Sequence, residues 1–314
     1  MRIGIDMMGG DFAPDVTVSG SVLARKELPA DAEIVLIGDK DLIRETAEKK
    51  GLDVSEFDII DARARVHMGD HPLKAFKEKP GSGLFEGLRM LKRRELDGFC
   101  SAGNTGAMMI GAMQIITPIP GIIRPAISTV IPNISGNNSI LLDVGLNPDA
   151  RPDVLYQYGI LGSVYSTIVT GIPLPTVSLL NLGSEEDKGN LVVKSTFQLM
   201  KDSTDFNFIG NIEGNELFVG NKADVIVCDG FTGNVVLKEA EAFYRLVSMK
   251  GICNGYFEMF NFENFGGTVI LGVQAPVVIG HGVSTEKAIK QMILHTLEVA
   301  GAGMIQTIKD ALDK

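Results

Sequence analysis

The segment "CSAGNTGAMM" at residues 100–109 carries residue types that could hold an anion. A short apolar stretch ends at Cys100, a cluster of small and polar residues follows, and an apolar run begins at Ala107. That order predicts a strand, a tight turn and a helix. The turn from Gly103 to Gly106 has two interpretations: a nest of backbone N–H groups that binds an anion, or an ordinary strand-to-helix connection with a good N-cap.

A second segment, "CDGFTGNVVL" at residues 228–237, partly repeats this pattern. Both segments place a cysteine at the end of an apolar strand, then G-x-T-G, then the start of an apolar helix. Neither has the glycine spacing of a P-loop or of a dinucleotide-binding turn, so a compact anion suits them better than ATP or NAD. A duplicated structural connection would also explain the repetition.

Three further polar stretches each follow a predicted strand. They are "IDMMGGDFAPD" with Asp6, "LDVGLNPD" with Asn147, and "NLGSEEDKGN" with Lys188. His281, in "VIGHGVS", follows the last predicted strand and is either catalytic or a structural hydrogen-bonding residue. Charged loops are often only solvated, but ligands of parallel sheets bind beyond the carboxyl ends of the strands. We therefore expect these loops to converge on a site.

The cysteines and the remaining histidines indicate no metal site and no disulfide framework. Cys100 and Cys228 each end an apolar strand, which predicts buried thiols rather than nucleophiles, and Cys253 is far from both. This usage favours a reducing cytosol. The other histidines have no partner at metal-ligand spacing: His67, His71 and His295. We expect neither a metal nor a cofactor.

Short β-branched runs alternate with longer segments of helical period, which predicts an α/β fold with a largely parallel sheet covered on both faces by helices. The predicted strands are 3–6, 34–37, 57–60, 98–100, 127–131, 140–143, 177–182, 207–209, 223–228 and 277–279. The predicted helices are 15–27, 41–50, 83–93, 105–116, 152–170, 190–202, 233–250 and 285–312. With no long linker, the chain is expected to be one integrated domain over residues 1–314, with two lobes around a cleft.

Composition limits the classes of partner. The net charge of −10 argues against general nucleic-acid binding, which needs a basic face. No apolar run is long enough to span a membrane, and the first strand begins without a leader segment, so we expect a cytoplasmic protein.

The motifs taken together resemble one family. In order they are "IDMMGGDFAPD", "SAGNTGA", "IRPAI", "LLDVGLNPD", "NLGSEEDKGN", "FIGNIEG", "ADVIVCDGFTGNVVLK", "FGG…LGV" and "VIGHG". This series is similar to the bacterial phosphate acyltransferase family (acyl-ACP:phosphate acyltransferases, the PlsX family) from the first strand to the last helix.

The resemblance implies an activity, a fold and partners. The activity is transfer of a long-chain acyl group from acyl carrier protein to inorganic phosphate, giving acyl phosphate for phospholipid synthesis. The fold is a three-layer α/β/α architecture like that of phosphotransacetylases and isopropylmalate dehydrogenases, assembled as a homodimer. The product would pass to a downstream glycerol-3-phosphate acyltransferase.

This chemistry suits the residues. The nucleophile would be phosphate itself and the leaving group a thiolate of pKa roughly 8.5, so no serine or cysteine triad is needed. The enzyme must bind phosphate, orient it and stabilise the oxyanion. The expected phosphate-binding residues are Gly103, Asn104, Thr105, Gly106, Asn147, Asp229 and Gly230. The expected catalytic residues are Lys188, for charge compensation, with Asn104 and Asn234. Asn147 and Asn234 would be amide donors, Asp229 would orient a neighbour, and Asp6 and His281 are further candidates.

An acidic carrier protein needs a basic patch on this acidic chain. Two clusters qualify, and the sequence does not choose between them: Lys92, Arg93 and Arg94 in "LKRRE", or Lys74, Lys77 and Lys79. Either could instead be a solvated helix face.

The interval 239–264 departs from the family because it is shorter than in relatives. It is rich in aromatic residues but has only Arg245 and Lys250 as basic residues. These aromatics could contact a membrane peripherally or pack in a dimer interface.

Two other functions stay open beside the acyltransferase. One is a phosphotransacetylase acting on short-chain acyl-CoA, and the other is a non-catalytic regulator that binds acyl chains. A dehydrogenase of the related fold is disfavoured because no nicotinamide-site pattern and no set of metal-binding aspartates is present.

Overall fold

The computed structural model describes residues 1–134, 136–220, 222–252 and 255–313, without the side chain of Phe262. Cys253 lies outside the described residues. The chain divides into two compact units. The first contains residues 1–117, 262–269 and 273–303, and the second contains residues 118–261, 270–272 and 304–314.

Strands and helices alternate along the chain, as their hydrophobic patterns predict. The strands are β1 (Arg2–Asp6), β2 (Glu33–Gly38), β3 (Asp58–Asp61), β4 (Gly98–Ser101), β5 (Ala126–Pro132), β6 (Asn138–Leu142), β7 (Thr176–Asn181), β8 (Asn207–Glu213), β9 (Val225–Val227), β10 (Thr268–Leu271) and β11 (Val277–Ile279). The helices are α1 (Asp15–Arg25), α2 (Lys40–Lys50), α3 (Pro72–Glu78), α4 (Gly83–Lys92), α5 (Thr105–Gly111), α6 (Pro152–Thr170), α7 (Leu191–Met200), α8 (Gly230–Met249), α9 (Glu286–Gly301) and α10 (Met304–Leu312).

In the first unit the strand order is β3-β2-β1-β4-β11, followed by the first two residues of β10. All neighbouring pairs are parallel except β10 with β11. The strands are nearly continuous apolar runs because helices cover them. Helices α1 and α9 pack very closely: a Cβ on Gly20 would lie 2.5 Å from the Ile289 side chain.

In the second unit the order is β5-β6-β9-β7-β8, and only β5 with β6 is antiparallel. Helix α6 carries Tyr158 and Tyr165, two of the largest fully buried side chains. It packs tightly on the sheet, since a Cβ on Gly162 would lie 2.4 Å from Val225. The predicted α/β class with a largely parallel sheet is confirmed.

Several predicted boundaries were wrong for local reasons. The predicted helix 285–312 is two helices, α9 and α10, separated at Gly303, whose φ of +66° is left-handed. The predicted helix 105–116 is α-helical only to Gly111 and continues as a π-helix over Ala112–Ile116. Helix α8 begins at Gly230 rather than at residue 233. The prediction missed α3 and β10, which are both short.

The aromatic segment after α8 packs on itself. The Tyr256 ring lies 5.6 Å from the rings of both Phe257 and Phe260, and Phe260 lies 5.5 Å from Phe218. These rings are half-buried. Large apolar side chains on and just after α8 are exposed instead: Phe243, Leu246, Met249 and Ile252. In the described part of the chain, no helix is long and apolar enough to cross a membrane.

Candidate active site

The carboxyl ends of β1, β4 and β11 meet in the first unit, where parallel pairing places them side by side. The register pairs are Ile5 with Cys100 and Ser101 with Ile279. The loops after β1 and β11 are joined by a 2.8 Å hydrogen bond from the N–H of Asp11 to the carbonyl of Gly282. One loop cluster therefore contains three of the predicted features: Asp6, the Gly103–Gly106 turn and His281.

Asn104 holds this turn to a neighbouring loop. Its Oδ1 accepts a 2.9 Å hydrogen bond from the N–H of Ala107, which caps α5. Its Nδ2 donates to three carbonyl oxygens, at 2.9 to 3.2 Å: those of His67, Met68 and Asp70. Both amide hydrogens of Asn104 are thus used within the protein, and the side chain fixes the loop that leads into α3.

Thr105 and Gly106 open α5, and their N–H groups have no intrahelical acceptor. No protein hydrogen bond reaches either group from the described residues. Thr105 is exposed and Gly106 is half-buried. A Cβ on Gly106 would lie 2.4 Å from the Cγ of Pro72, so α3 packs closely against the turn at this glycine.

Asp6 lies buried beneath the turn. The Ser101 hydroxyl donates to its Oδ2 over 2.8 Å and accepts from the N–H of Gly103 over 3.0 Å. Burial raises the pKa of Asp6 from an ordinary 3.8 to about 6, opposed by the hydrogen bonds from Ser101 and from the N–H of Met8 and by the charge of Arg65. Asp6 thereby couples the end of β1 to the turn after β4.

His281 is half-buried in the same loop cluster. Its Nδ1 accepts a 3.3 Å hydrogen bond from the N–H of Val283. Its carbonyl accepts from the hydroxyl and the N–H of Ser284. These bonds order the loop after β11.

The second G-x-T-G turn, in the other unit, is built differently. Asp229 caps α8 by accepting from the N–H and the hydroxyl of Thr232, at 2.9 and 2.8 Å. The N–H of Gly230 donates to the carbonyl of Asn147 over 2.8 Å. A Cβ on Gly233 would lie 2.0 Å from the carbonyl oxygen of Asp143, so only glycine fits there.

Asp143 and Asn147 form a satisfied polar network beside this turn. The Asn147 Nδ2 contacts the carbonyl of Pro125, the Tyr158 hydroxyl and Asp143 Oδ2, at 2.8, 2.7 and 3.0 Å. Asp143 accepts further backbone hydrogen bonds from Ile127, Leu146 and Asn147. Burial raises the pKa of Asp143, and these hydrogen bonds oppose the rise.

Lys188 and Asn234, the two predicted catalytic residues of the second unit, are both exposed. Lys188 makes only a loose ion pair, with 3.9 Å between its Nζ and Glu185 Oε1. The Asn234 Nδ2 donates one hydrogen bond, of 3.2 Å, to the carbonyl of Val144. Each keeps hydrogen-bonding capacity that a ligand could use.

The two cysteines that end strands are buried, as predicted. Burial raises the pKa of Cys100 to about 12 and that of Cys228 well above its usual value, so neither thiol is a ready nucleophile. Among the residues that the structure describes, no group of three or more His, Cys, Asp or Glu side chains is arranged to hold a metal ion.

Sequence reasoning missed Arg65. Its Nη2 donates to the carbonyls of Gly10 and Ala13 at 3.4 and 3.3 Å, and its charge acts on Asp6. Its buried Nε has no hydrogen-bond partner within the described part of the chain. An arginine after a short polar strand looks like a solvated residue in sequence, so no spacing signal could have found it.

The family described as fatty acid synthesis protein matches residues 1–250. A phosphate acyltransferase of Dictyoglomus turgidum is 38% identical over an alignment that covers 100% of this chain and 98% of its relative. The chain belongs to the phosphate acyltransferase family. A second member, from Listeria innocua, is also 38% identical and is covered to 97% of its length. Members of the family are acyltransferase enzymes by name.

Solved structures show the same fold at low identity. A phosphotransacetylase from Streptococcus pyogenes superimposes with a TM-score of 0.67 at 17% identity, over 96% of this chain and 94% of that one. The EutD phosphotransacetylase from Staphylococcus aureus gives 0.64 at 16% identity, over the same shares of the two chains. The phosphotransacetylase-like fold that the resemblance implied is therefore present.

Proposed function

We propose that this protein transfers a long-chain acyl group from acyl carrier protein to inorganic phosphate and releases acyl phosphate for phospholipid synthesis. The observation that carries the proposal is the full-length similarity to relatives named phosphate acyltransferase, at 38% identity. That similarity supports acyl transfer to phosphate within fatty acid and phospholipid synthesis; the long chain and the carrier protein are the finer part of the proposal.

The reaction needs positioning more than proton transfer. A phosphate oxygen attacks the thioester carbonyl carbon, a C–O bond forms, and the C–S bond breaks as the thiolate leaves. Phosphate is already anionic near neutral pH, and the thiolate is a good leaving group. The protein must therefore hold phosphate against the carbonyl and stabilise the oxyanion.

The turn in the first unit is our proposed phosphate site. The N–H groups of Thr105 and Gly106 are available to an anion, and Gly103 lets the turn lie close to Asp6. Asn104 has its side chain bonded to Ala107 and to the loop before α3, so we assign it to positioning the turn. His281 would border this site.

In the second unit we assign Lys188 to charge compensation and Asn234 to an amide donor, because both keep capacity for a ligand. The remaining predicted contacts have protein partners: Asn147, Asp229 and Gly230. We propose that these three shape the turn that carries Asn234.

For the carrier protein we propose docking on α3. Lys74 and Lys77 are exposed there; Lys74 has only a 4.0 Å pair with Glu78, and the structure gives Lys77 no ion pair with a described residue. In the alternative cluster, Arg93 is ion-paired with both Glu86 and Glu95, and Lys92 donates a hydrogen bond to the backbone carbonyl of Ile116. Helix α3 also packs directly against the proposed phosphate turn.

We propose a homodimer that covers the apolar stripe of Phe243, Leu246 and Met249, with peripheral membrane contact as the competing outcome. Met249→Glu should then yield monomers in size-exclusion chromatography with light scattering. If the mutant stays dimeric but loses liposome flotation, the stripe contacts membrane instead. The acyl phosphate would be consumed by a glycerol-3-phosphate acyltransferase, our proposed downstream enzyme.

The deciding experiment is phosphate-dependent loss of the thioester from palmitoyl carrier protein, compared with acetyl-CoA, using the purified chain. We expect turnover of the palmitoyl substrate and little with acetyl-CoA. The reverse preference would identify a phosphotransacetylase. Binding of palmitate without turnover of either substrate would indicate a regulator.

The docking proposal has its own test. The double variant Lys74→Glu, Lys77→Glu should raise KM for the carrier substrate but not for palmitoyl-CoA, while Arg93→Glu leaves both KM values unchanged.

A further inference from the structure

A pocket of about 780 Å³ opens within the second unit, between β7 and the first turns of α7 and α8. Its floor is formed by Leu179 and Leu180, and its walls by Val193 on α7 and by Phe231 and Val236 on α8. The volume falls within the range of about 300–1,000 Å³ that is usual for small-molecule sites. The pocket is made of residues from one unit and does not include the turn after β4.

The mouth of this pocket exposes large apolar side chains. Phe231 is 67% exposed and Leu182, also on the lining, is 72% exposed. Leaving such side chains in water forgoes the favourable transfer that burial would give them. A cluster of exposed apolar side chains next to a concave apolar floor indicates a surface that an apolar ligand covers.

Polar residues line the pocket where α7 and α8 begin, and we call this part the polar end. Asp229 and Thr232 line it at the start of α8, and Gly189 and Asn190 line it at the start of α7. Gly189 directly follows Lys188, and α8 continues from this end to Asn234. The groups that we assign to the reaction in this unit are thus on the same two segments that form the polar end.

We propose that this pocket binds the acyl chain of the thioester substrate, with the chain along Leu179, Leu180 and Val193 and the thioester toward the polar end. The proposal rests on the proposed acyl-transfer function. It adds a site that would determine which acyl-chain lengths the enzyme prefers. An amphipathic ligand with one reactive polar end and a long apolar tail fits a pocket that joins an apolar floor and apolar walls to polar lining residues, which also include Asp149, Arg151 and Asn181.

The test fills the pocket. Val193→Phe places a ring on the wall from a half-buried helical position, and Leu199→Phe on the same helix, outside the lining, is the matched control. We expect Val193→Phe to lower kcat/KM for palmitoyl carrier protein about tenfold or more while the value for hexanoyl carrier protein changes by less than about twofold, as expected when a hydrophobic pocket loses length. Leu199→Phe should change neither. Val236→Phe, on the wall formed by α8, should repeat the effect if Val193→Phe unfolds.

A second readout separates this proposal from the proposed function. Titration calorimetry with palmitate should show weaker binding to Val193→Phe than to wild type and unchanged binding to Leu199→Phe. Suppose that wild type turns over no acyl substrate yet shows this binding pattern. The proposal that the pocket binds an acyl chain is then supported, and the proposed acyl-transfer function is contradicted. If chain-length preference and palmitate affinity are both the same in wild type and the pocket variants, the pocket proposal is overturned whether or not the enzyme is active.

Discussion

The two G-x-T-G turns share a sequence pattern but not a structure. In the first, the cap is Asn104, the second residue of the pattern, and α5 begins at Thr105. In the second, the cap is Asp229, the residue before the pattern, and α8 begins at Gly230. The helix therefore starts two residues earlier, relative to the glycines, in the second turn.

The difference changes which groups remain for a ligand. The first turn leaves the N–H groups of Thr105 and Gly106 without protein acceptors among the described residues. In the second, the N–H of Gly230 is bonded to Asn147 and that of Thr232 to Asp229. One turn is thus suited to hold an anion through its backbone, and the other to present side chains such as Asn234.

Each turn also packs on a buried aspartate from a neighbouring parallel strand. Asp6 ends β1 beside β4, and Asp143 follows β6 beside β9. Asp143 is satisfied by backbone and side-chain donors on several residues, whereas Asp6 has the N–H of Met8 and the Ser101 hydroxyl. The same sequence pattern thus has most of its polar groups hydrogen-bonded in the second unit and, counting only the described residues, keeps free N–H groups for a ligand in the first.

The largest effect is expected on kcat when Lys188, in the second unit, is removed. Lys188→Ala should lower kcat by about 10²–10³-fold, the cost of removing one donor that stabilises transition-state charge. Steady-state kinetics with palmitoyl carrier protein and phosphate would measure it. Lys194→Ala, a nearby exposed lysine on α7, is the control and should stay near wild type. Equal activity of the two variants would remove Lys188 from the mechanism.

The next effect tests how tightly each turn is packed. Gly233→Ala should destabilise the fold by about 3 kcal/mol, because its Cβ would meet a backbone oxygen that cannot move away. Gly106→Ala should cost only about 1 kcal/mol, since Pro72 at the start of a short surface helix can shift. Urea unfolding of both variants measures the difference. Equal losses would mean that the second turn is no more rigid than the first.

Sequence reasoning found the strand-end loops but not the state of their side chains. The alternation of strands and helices and the position of the loops follow from hydrophobic pattern, so Asp6, the Gly103 turn and His281 could be expected together. The sequence could not predict the hydrogen bonds from Asn104 to the loop at 67–70, because the acceptors are carbonyls of a segment 34 to 37 residues away. The sequence could not predict the apolar pocket either, because its lining residues come from separate helices and strands whose hydrophobic pattern is that of ordinary core residues.

The third effect depends on pH and tests Asp6, the aspartate beneath the first turn. The folded chain holds a proton on Asp6 more tightly than the unfolded chain, so the stability from this group is present below pH 3.8 and is lost as the pH rises through about 6. The stability of Asp6→Asn relative to wild type should therefore improve by about 2 kcal/mol between about pH 4 and about pH 7. Thermal or urea unfolding at the two pH values measures it. Asp11→Asn, an exposed change on the same loop, should show no such trend; a parallel trend in both variants would assign the effect elsewhere.

The last prediction isolates the second role of Asn104, which is to hold the loop at residues 67–70. Asp is as good an N-cap as Asn, so Asn104→Asp keeps the cap on α5 but removes the amide hydrogens that hold the carbonyls of residues 67–70. We expect a loss of at least about 1 kcal/mol in urea unfolding, because the three carbonyls lose their donor and face a carboxylate oxygen, together with faster hydrogen exchange in that loop. Asn190→Asp is the matched control, because the Asn190 side chain caps α7 through the N–H of Val193.

Since the loop at 67–70 leads into α3, Asn104→Asp should also raise KM for the carrier substrate if α3 is the docking helix. A variant that loses stability without a change in that KM would uphold the role of Asn104 in the fold and separate it from carrier recognition.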